Sequence, residues 1–220
     1  MTHMVAPLRE NVREVAASSL PRSCVYAILS RSLSFPEERS HSDIRRGFWM
    51  ESLTASSGRL PYLLRLPAPQ SFKAPADFDA FQSEYIRLFQ VGGRAGPPCP
   101  LHGGHYGNDR LRALETLVRF YNFFGVQTEQ GIMPDHVTVQ LEFMHFLAES
   151  EAEARTAGDR HSFARAQADF LRNHLCNWWP RLEAKLKNQQ PLPFYRSLVA
   201  LASRFLEADL TYLTARPDTP

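Results

Sequence analysis

The stretch "PDHVTVQLEFMHFLAES", Pro134 to Ser150, decides the fold. Val137, Leu141, Met144 and Leu147 are separated by four, three and three residues, and Val139, Phe143 and Phe146 by four and three. Such steps gather each set on one side of an α-helix, whereas a strand needs alternation at every second residue. A helix with two apolar stripes has packed neighbours on both, which places it centrally in a bundle. Its third stripe is polar: Asp135, Thr138, Glu142, His145, Glu149 and Glu153 follow at steps of three and four. Pro134 fits a first turn, and Asp135 can offer an oxygen to the unpaired backbone N–H groups there. His136 sits at the positive end of the helix dipole and should resist protonation.

Outward from this helix, the same periodicity recurs almost throughout. Val25, Ile28, Leu29 and Leu33 share a face over 22–33, with Pro21 in the first turn and Pro36 beyond the stop. Ile44, Phe48 and Leu53 give a weaker face over 41–53. A short helix is expected around Leu60 to Leu66, then a Pro/Ser-rich linker. Asp77 caps a helix that carries Phe78, Phe81, Tyr85 and Leu88 and ends at Phe89. Asn108 opens the next, with Leu111, Leu114, Val118 and Tyr121 aligned and Gly125 as terminator. The central helix runs over 135–157, about 34 Å at 1.5 Å per residue, and Gly158-Asp159 then breaks the chain. Residues 160–187 continue helical, with Pro180 imposing a kink or boundary. The last helix starts near Pro193 and aligns Phe194, Leu198, Leu201, Phe205 and Leu210. The expectation is an all-α, single-domain helical bundle over 21–214, with an N-terminal arm (1–20) and a frayed tail (215–220).

Bulk properties narrow the function. The 220 residues are 44% hydrophobic, enough for a buried core. Lysine and arginine total 25 against 23 acidic residues, so no electrostatic reason points to nucleic acid. No apolar run is long enough to span a bilayer. The N-terminus, MTHMVAPLRENVREV, shows no secretory signal. Cys24, Cys99 and Cys176 are sparse and odd in number, which fits a reducing cytoplasm better than a disulfide framework.

The residues that could carry chemistry concentrate in "GPPCPLHGGHYG", Gly96 to Gly107. Cys99, His102 and His105 are three apart and are ligand types that zinc accepts. The spacing is permissive rather than diagnostic, since a fourth ligand must be recruited from His136 or Asp135. The competing reading is a rigid Pro/Gly loop with Cys99 as a small apolar filler. The acidic stripe of the central helix is either a solvated face or a receptor for a basic peptide. No nucleophile elbow, P-loop or H-E-x-x-H is present. Trp178 and Trp179, beside Pro180, are expected as core anchors, and His174 as a satisfied core histidine.

Several of these pieces fall into one order. Tyr85-Ile-Arg-Leu88-Phe89 precedes the Gly/Pro loop, and Pro134-Asp135-His136 then opens a helix reading Leu-Glu-Phe-Met over 141–144. Tyr26, Leu29, Leu33 and Pro36 precede them; Phe170-Leu171, His174-Leu175, Trp178 and Pro180, then Phe194-Tyr195 and Phe205-Leu206, follow. In this order the sequence resembles the TorD/DmsD/NarJ family of redox-enzyme maturation chaperones. The loop and "VQLEFMHFL" look closest to its branch serving enzymes of the dimethyl sulfide, chlorate, selenate or ethylbenzene type. Two departures stand out: Met133-Pro134 directly precedes Asp135 where many relatives have Glu-Pro-x-Asp-His, and Gly104-His105-Tyr106 replaces a common Ser-x-Tyr.

The resemblance implies an all-helical cytoplasmic chaperone, not an enzyme, with no cofactor of its own. Its implied partners are the catalytic subunit of a molybdoenzyme and that subunit's twin-arginine leader peptide. The chain would act as a monomer or a homodimer. Asp135, His136 and the loop are linked to leader recognition in the family. With the apolar and acidic surroundings they give a candidate peptide site of Tyr85, Leu88, Phe89, Pro98, Pro100, Leu101, His102, Tyr106, Asp135, His136 and Glu142. A peptide with paired arginines before an apolar stretch needs an apolar groove with carboxylates at one end. Two other readings stand beside this: a metal-dependent enzyme built on Cys99, His102, His105 and His136, and a helical adaptor for another partner.

Overall fold

The computed structural model describes residues 6–94, 96–107, 109–128 and 131–216, with side chains from residue 17 onward. The elements are α1 (Ala6–Leu33), α2 (Glu38–Arg46), α3 (Phe48–Ser57), α4 (Phe78–Tyr85), α5 (Arg110–Phe123), α6 (Val137–Glu153), α7 (Ala157–Phe170), α8 (Cys176–Lys187) and α9 (Pro193–Ala215). Among the described residues there is no strand, only isolated bridges at Gly93–Gly96 and His102–His136. No helix among them is long and apolar enough to cross a membrane.

α6 is the central helix, as its two apolar stripes require. It lies along α1 on one side and packs against α7 on the other. Val137, Leu141, Phe143, Met144 and Leu147 are all buried. Removing one such side chain, as in Leu147→Ala, costs about 2–5 kcal/mol in a core that collapses incompletely. α9 closes the bundle with Phe194, Leu198, Leu201 and Phe205 inside, and Pro193 sits in its first turn as read. Phe81 stacks on Tyr195 at 5.1 Å and 9°, and Tyr85 and Phe89 continue that aromatic layer.

Local signals place several boundaries. Asp77 caps α4 by accepting from the Asp79 N–H at 3.1 Å. Gly125, at φ +69°, follows α5 in the left-handed region that glycine adopts without steric cost.

Other boundaries differ from the sequence expectation. α1 begins at Ala6, so residues 6–20 are helical and Pro21 lies inside the helix, not in its first turn. Residues 1–5 and 217–220 lie outside the described residues. The helix read over 41–53 is two helices, broken by Gly47 at φ +90°. Nothing helical forms over 60–66; the chain is irregular there, with a short turn of helix at Pro69–Phe72. Asn108 lies outside the described residues, and Asp109 caps α5 through the Arg112 N–H at 3.0 Å. The break after α6 falls at 154–156, where Thr156 caps α7, so Gly158 and Asp159 sit in α7's first turn. α8 runs through Pro180, and the irregularity instead is a π turn at Leu171–Leu175. α5 buries Leu117 and Tyr121, leaving Leu111 80% exposed. Its apolar residues surround it, so spacing alone did not single out the packed face.

A buried polar cluster fastens the ends of this bundle. Arg22 on α1 is fully buried and donates to Asp209 of α9 at 2.5 and 3.0 Å, to Glu151 of α6 at 3.1 Å and to Gln167 of α7 at 2.5 Å. Tyr26 and Tyr62 donate to Asp209 at 2.5 and 2.8 Å, and Arg216 reaches Glu151. Two arginines thus face two carboxylates, and every charge there has a partner. Such a cluster contributes little net stability but is costly to break, because a removed partner strands the others without water.

Candidate functional site

The loop after α4 and the start of α6 meet directly. Loop and helix run antiparallel there: Gly103 N–H donates to the Asp135 carbonyl at 2.9 Å, and Val137 N–H to the Leu101 carbonyl at 2.7 Å. Asp135 is fully buried, and its carboxylate turns to the loop rather than to the first turn of α6. One oxygen accepts the Gly104 N–H at 3.0 Å and the other lies 3.1 Å from His102 Nδ1. An ionised carboxylate only accepts, so His102 carries its proton on Nδ1. Burial pushes the Asp135 carboxyl up, but the bonds from His102 and Gly104 outweigh it and hold the group below the ordinary range. A side chain at Gly104 would meet Asp135 Oδ2 at 2.8 Å, so glycine permits this close approach.

His136, not Asp135, caps α6. Its Nδ1 accepts the Thr138 N–H at 3.3 Å and lies 2.7 Å from the Thr138 hydroxyl. Burial, then repulsion from His102 at a ring separation of 4.9 Å, lowers its pKa to about 4. The expected resistance to protonation therefore holds, with burial as its main cause instead of the helix dipole.

A second layer supports the loop from α8. Trp178 stacks on Tyr106 at 5.5 Å and donates to Gln140, which in turn donates to the Asp135 carbonyl at 2.8 Å. Tyr106 donates to the Pro100 carbonyl at 2.9 Å, Arg181 donates to the Tyr106 carbonyl, and Lys185 lies 5.0 Å from the Tyr106 ring centre. Gln140, Arg181 and Lys185 escape sequence reasoning, because partners on α6, α8 and the loop have no local spacing that links them. Trp178 was legible only as an anchor.

The predicted site residues therefore divide. Leu101, His102, Tyr106, Asp135 and His136 come together, with Pro100 tied in through Tyr106. Tyr85, Leu88 and Phe89 are buried core behind the loop, where the Leu88 carbonyl accepts the Cys99 N–H at 2.9 Å. Pro98 is half-buried in the loop. Glu142 stands apart on the seam with α1, accepting from Ser30 at 3.1 Å. His145, from the same stripe, lies 2.6 Å from Ser23 of α1. The polar stripe of α6 is thus largely its edge against α1.

The cysteine and histidines of the loop do not gather as ligands. Cys99 is fully buried, and burial pushes its thiol up to about 11, which disfavours the thiolate that a metal needs. Among the described residues no group of three or more His, Cys, Asp or Glu is placed to hold a metal ion. Cys99 is the apolar filler.

These features define an all-helical protein whose shaped loop is latched to its central helix. The family described as "Nitrate reductase delta subunit" matches residues 60–184. The chain is 31% identical over 210 residues to the perchlorate reductase assembly chaperone protein of Dechloromonas aromatica, covering 91% of this chain and 93% of that one. It is 35% identical over 114 residues to the chlorate reductase assembly chaperone protein of Ideonella dechloratans, covering 50% and 58%. It is 33% identical over 115 residues to the selenate reductase assembly chaperone protein of Thauera selenatis, again covering 50% and 58%. The chain belongs to the nitrate reductase delta subunit family, and the relatives it matches are named as assembly chaperones, not as enzymes.

Proposed function

We propose that this chain is the dedicated assembly chaperone of one molybdenum-containing oxidoreductase. It acts in the cytoplasm, holds the catalytic subunit while cofactor is inserted, and contacts that subunit's twin-arginine leader before export. The observation that carries this reading is the match along nearly the whole chain to a perchlorate reductase assembly chaperone. The latched loop fits it: the surface formed by His102, His105 and His136 is held in one shape by bonds to buried groups, as recognition requires. The Asp135 carboxylate is already satisfied, so its part is to position the loop, and a leader arginine must find other acids. The division into an arm over 1–20 and a chaperone domain over 21–214 belongs to this proposal.

Co-expression tests it. The tagged chain, produced with the catalytic subunit of a perchlorate- or chlorate-reductase-type enzyme from its own genome, should retain that subunit before cofactor loading and release it afterwards. A subunit that matures fully in a strain lacking this chain, and never co-purifies with it, refutes the reading.

A further inference from the structure

An apolar stripe lies open on one flank of α5. Leu111, Leu114 and Val118 follow at steps of three and four, so they share that flank. Leu111 and Val118 are exposed and Leu114 is half-buried. Tyr121 extends the stripe by one step and donates to the Pro134 carbonyl at 2.9 Å, which brings the exposed Ile132 and Met133 beside its end. The other end adjoins the latched loop, where a side chain at Gly104 would meet the Arg110 stem at 2.6 Å.

The charges bordering this strip are mainly cations. Arg110 and Lys185 are exposed, and neither side chain has a hydrogen-bond or ion-pair partner among the described residues. Both act on the exposed His105, whose pKa is lowered by partial burial, then by Arg110, His102 and Lys185, against the pull of Asp135. Arg181 donates to the Tyr106 carbonyl of the same loop. The described carboxylates of this region are committed. Asp135 is buried and bonded to His102 and Gly104, Asp109 accepts the Arg112 N–H at 3.0 Å, and Glu183 pairs with Lys187 at 2.9 Å.

These charges separate the occupants that could cover the strip. A second copy would set the patch against itself and bring like cations together. A bilayer needs an outward apolar face, but Glu115, Arg119 and Asn122 are exposed on α5, with Glu115 paired to Arg119 at 3.3 Å. A polypeptide segment with carboxylates beside apolar side chains satisfies the strip and the cations together, with forked bonds to Arg110. A pair of arginines meets the wrong sign here.

We infer that the surface formed by α5, Ile132, Met133 and the latched loop holds an acidic, apolar segment of a partner polypeptide: its carboxylates pair with Arg110 and Lys185, and its apolar side chains cover Leu111 and Val118. The inference rests on the reading that this chain holds a client, and it adds the chemistry of the segment held at this surface.

The test uses full-length protein and two labelled synthetic peptides, read by fluorescence anisotropy. Both carry leucines at three- and four-residue steps, one with glutamates between them and the other with lysines. The glutamate peptide should bind wild type at least about tenfold more tightly than the lysine peptide and weaken as salt is raised. Arg110→Glu, Lys185→Glu and Leu111→Ser should each weaken it about tenfold, whereas Arg155→Glu, beyond the far end of α6, should leave it unchanged. A glutamate peptide that does not bind wild type, or binds those three variants as it binds wild type, overturns the inference. So does recruitment of wild type to phosphatidylserine vesicles, or a dimer in sedimentation that Leu111→Ser dissolves, with no peptide binding in either case. If the catalytic subunit still co-purifies then, the chaperone reading stands without this surface. If Arg110→Glu disturbs the loop and lowers the melting midpoint, Lys185→Glu and Leu111→Ser decide the outcome.

Discussion

Replacing Asp135 by alanine isolates the latch between the loop and α6. The change removes the acceptor of the Gly104 N–H at 3.0 Å and of His102 at 3.1 Å, in a position with no exposure to water. A buried donor left unmade costs about 1–3 kcal/mol, and a hydrogen bond to a charged group contributes about 1.5–3 kcal/mol. The two amounts overlap, so a loss of about 3 kcal/mol is expected. In a chain of this size 1 kcal/mol moves the melting midpoint by about 2–4 °C, which gives a fall of about 6–12 °C. Asp135→Asn keeps one acceptor for Gly104 and should fall about half as far. Thermal melts followed by circular dichroism measure both, and hydrogen exchange at Gly103 and Gly104 reports whether the loop opens before the rest. A midpoint for Asp135→Ala within about a degree of wild type, with unchanged exchange at those two amides, refutes the latch.

Two further outcomes follow from buried groups. Burial lowers His174 to about 4, and burial with His102 repulsion does the same for His136. The unfolded chain titrates them near 6.5 and so binds more protons between those values. Stability is therefore fully present above about pH 6.5 and lost as pH falls toward about 4, with His174 accounting for up to about 3 kcal/mol. Melting midpoints across that range measure it, and a His174→Gln variant with the same pH slope contradicts it. Arg22→Met leaves the buried Asp209 carboxylate without a cation, while Glu151 keeps Arg216, and should cost about 3–5 kcal/mol in urea unfolding. Replacing Asp209 and Glu151 by apolar residues as well should restore much of that loss.

The bundle was legible because its core is periodic. The stripes of α6 and α9 predict which residues are buried, since helix packing repeats at each turn. What escaped was decided by partners far along the chain. Asp135 stands at a helix start, where local rules make it a cap, but it bonds to a loop more than thirty residues earlier. Breaks at Gly47 and at Thr156 depend on one residue each and leave the surrounding apolar pattern almost unchanged. The Arg22 cluster had a signal that periodicity alone passes over. Arg22 shares the apolar face of Val25, Tyr26 and Leu29, Glu151 falls four after Leu147, and Asp209 lies midway between Phe205 and Leu213. Charged residues set into a buried register can be sought as mutual partners.

Because Arg22 finds Asp209 only across 187 positions, this part of the core closes during synthesis only after α9 has been made. Until then the guanidinium has Glu151 of α6 and Gln167 of α7 as its partners, and the face that α9 covers stays open. A product truncated before α9 therefore presents an open seam for cellular proteases to cut.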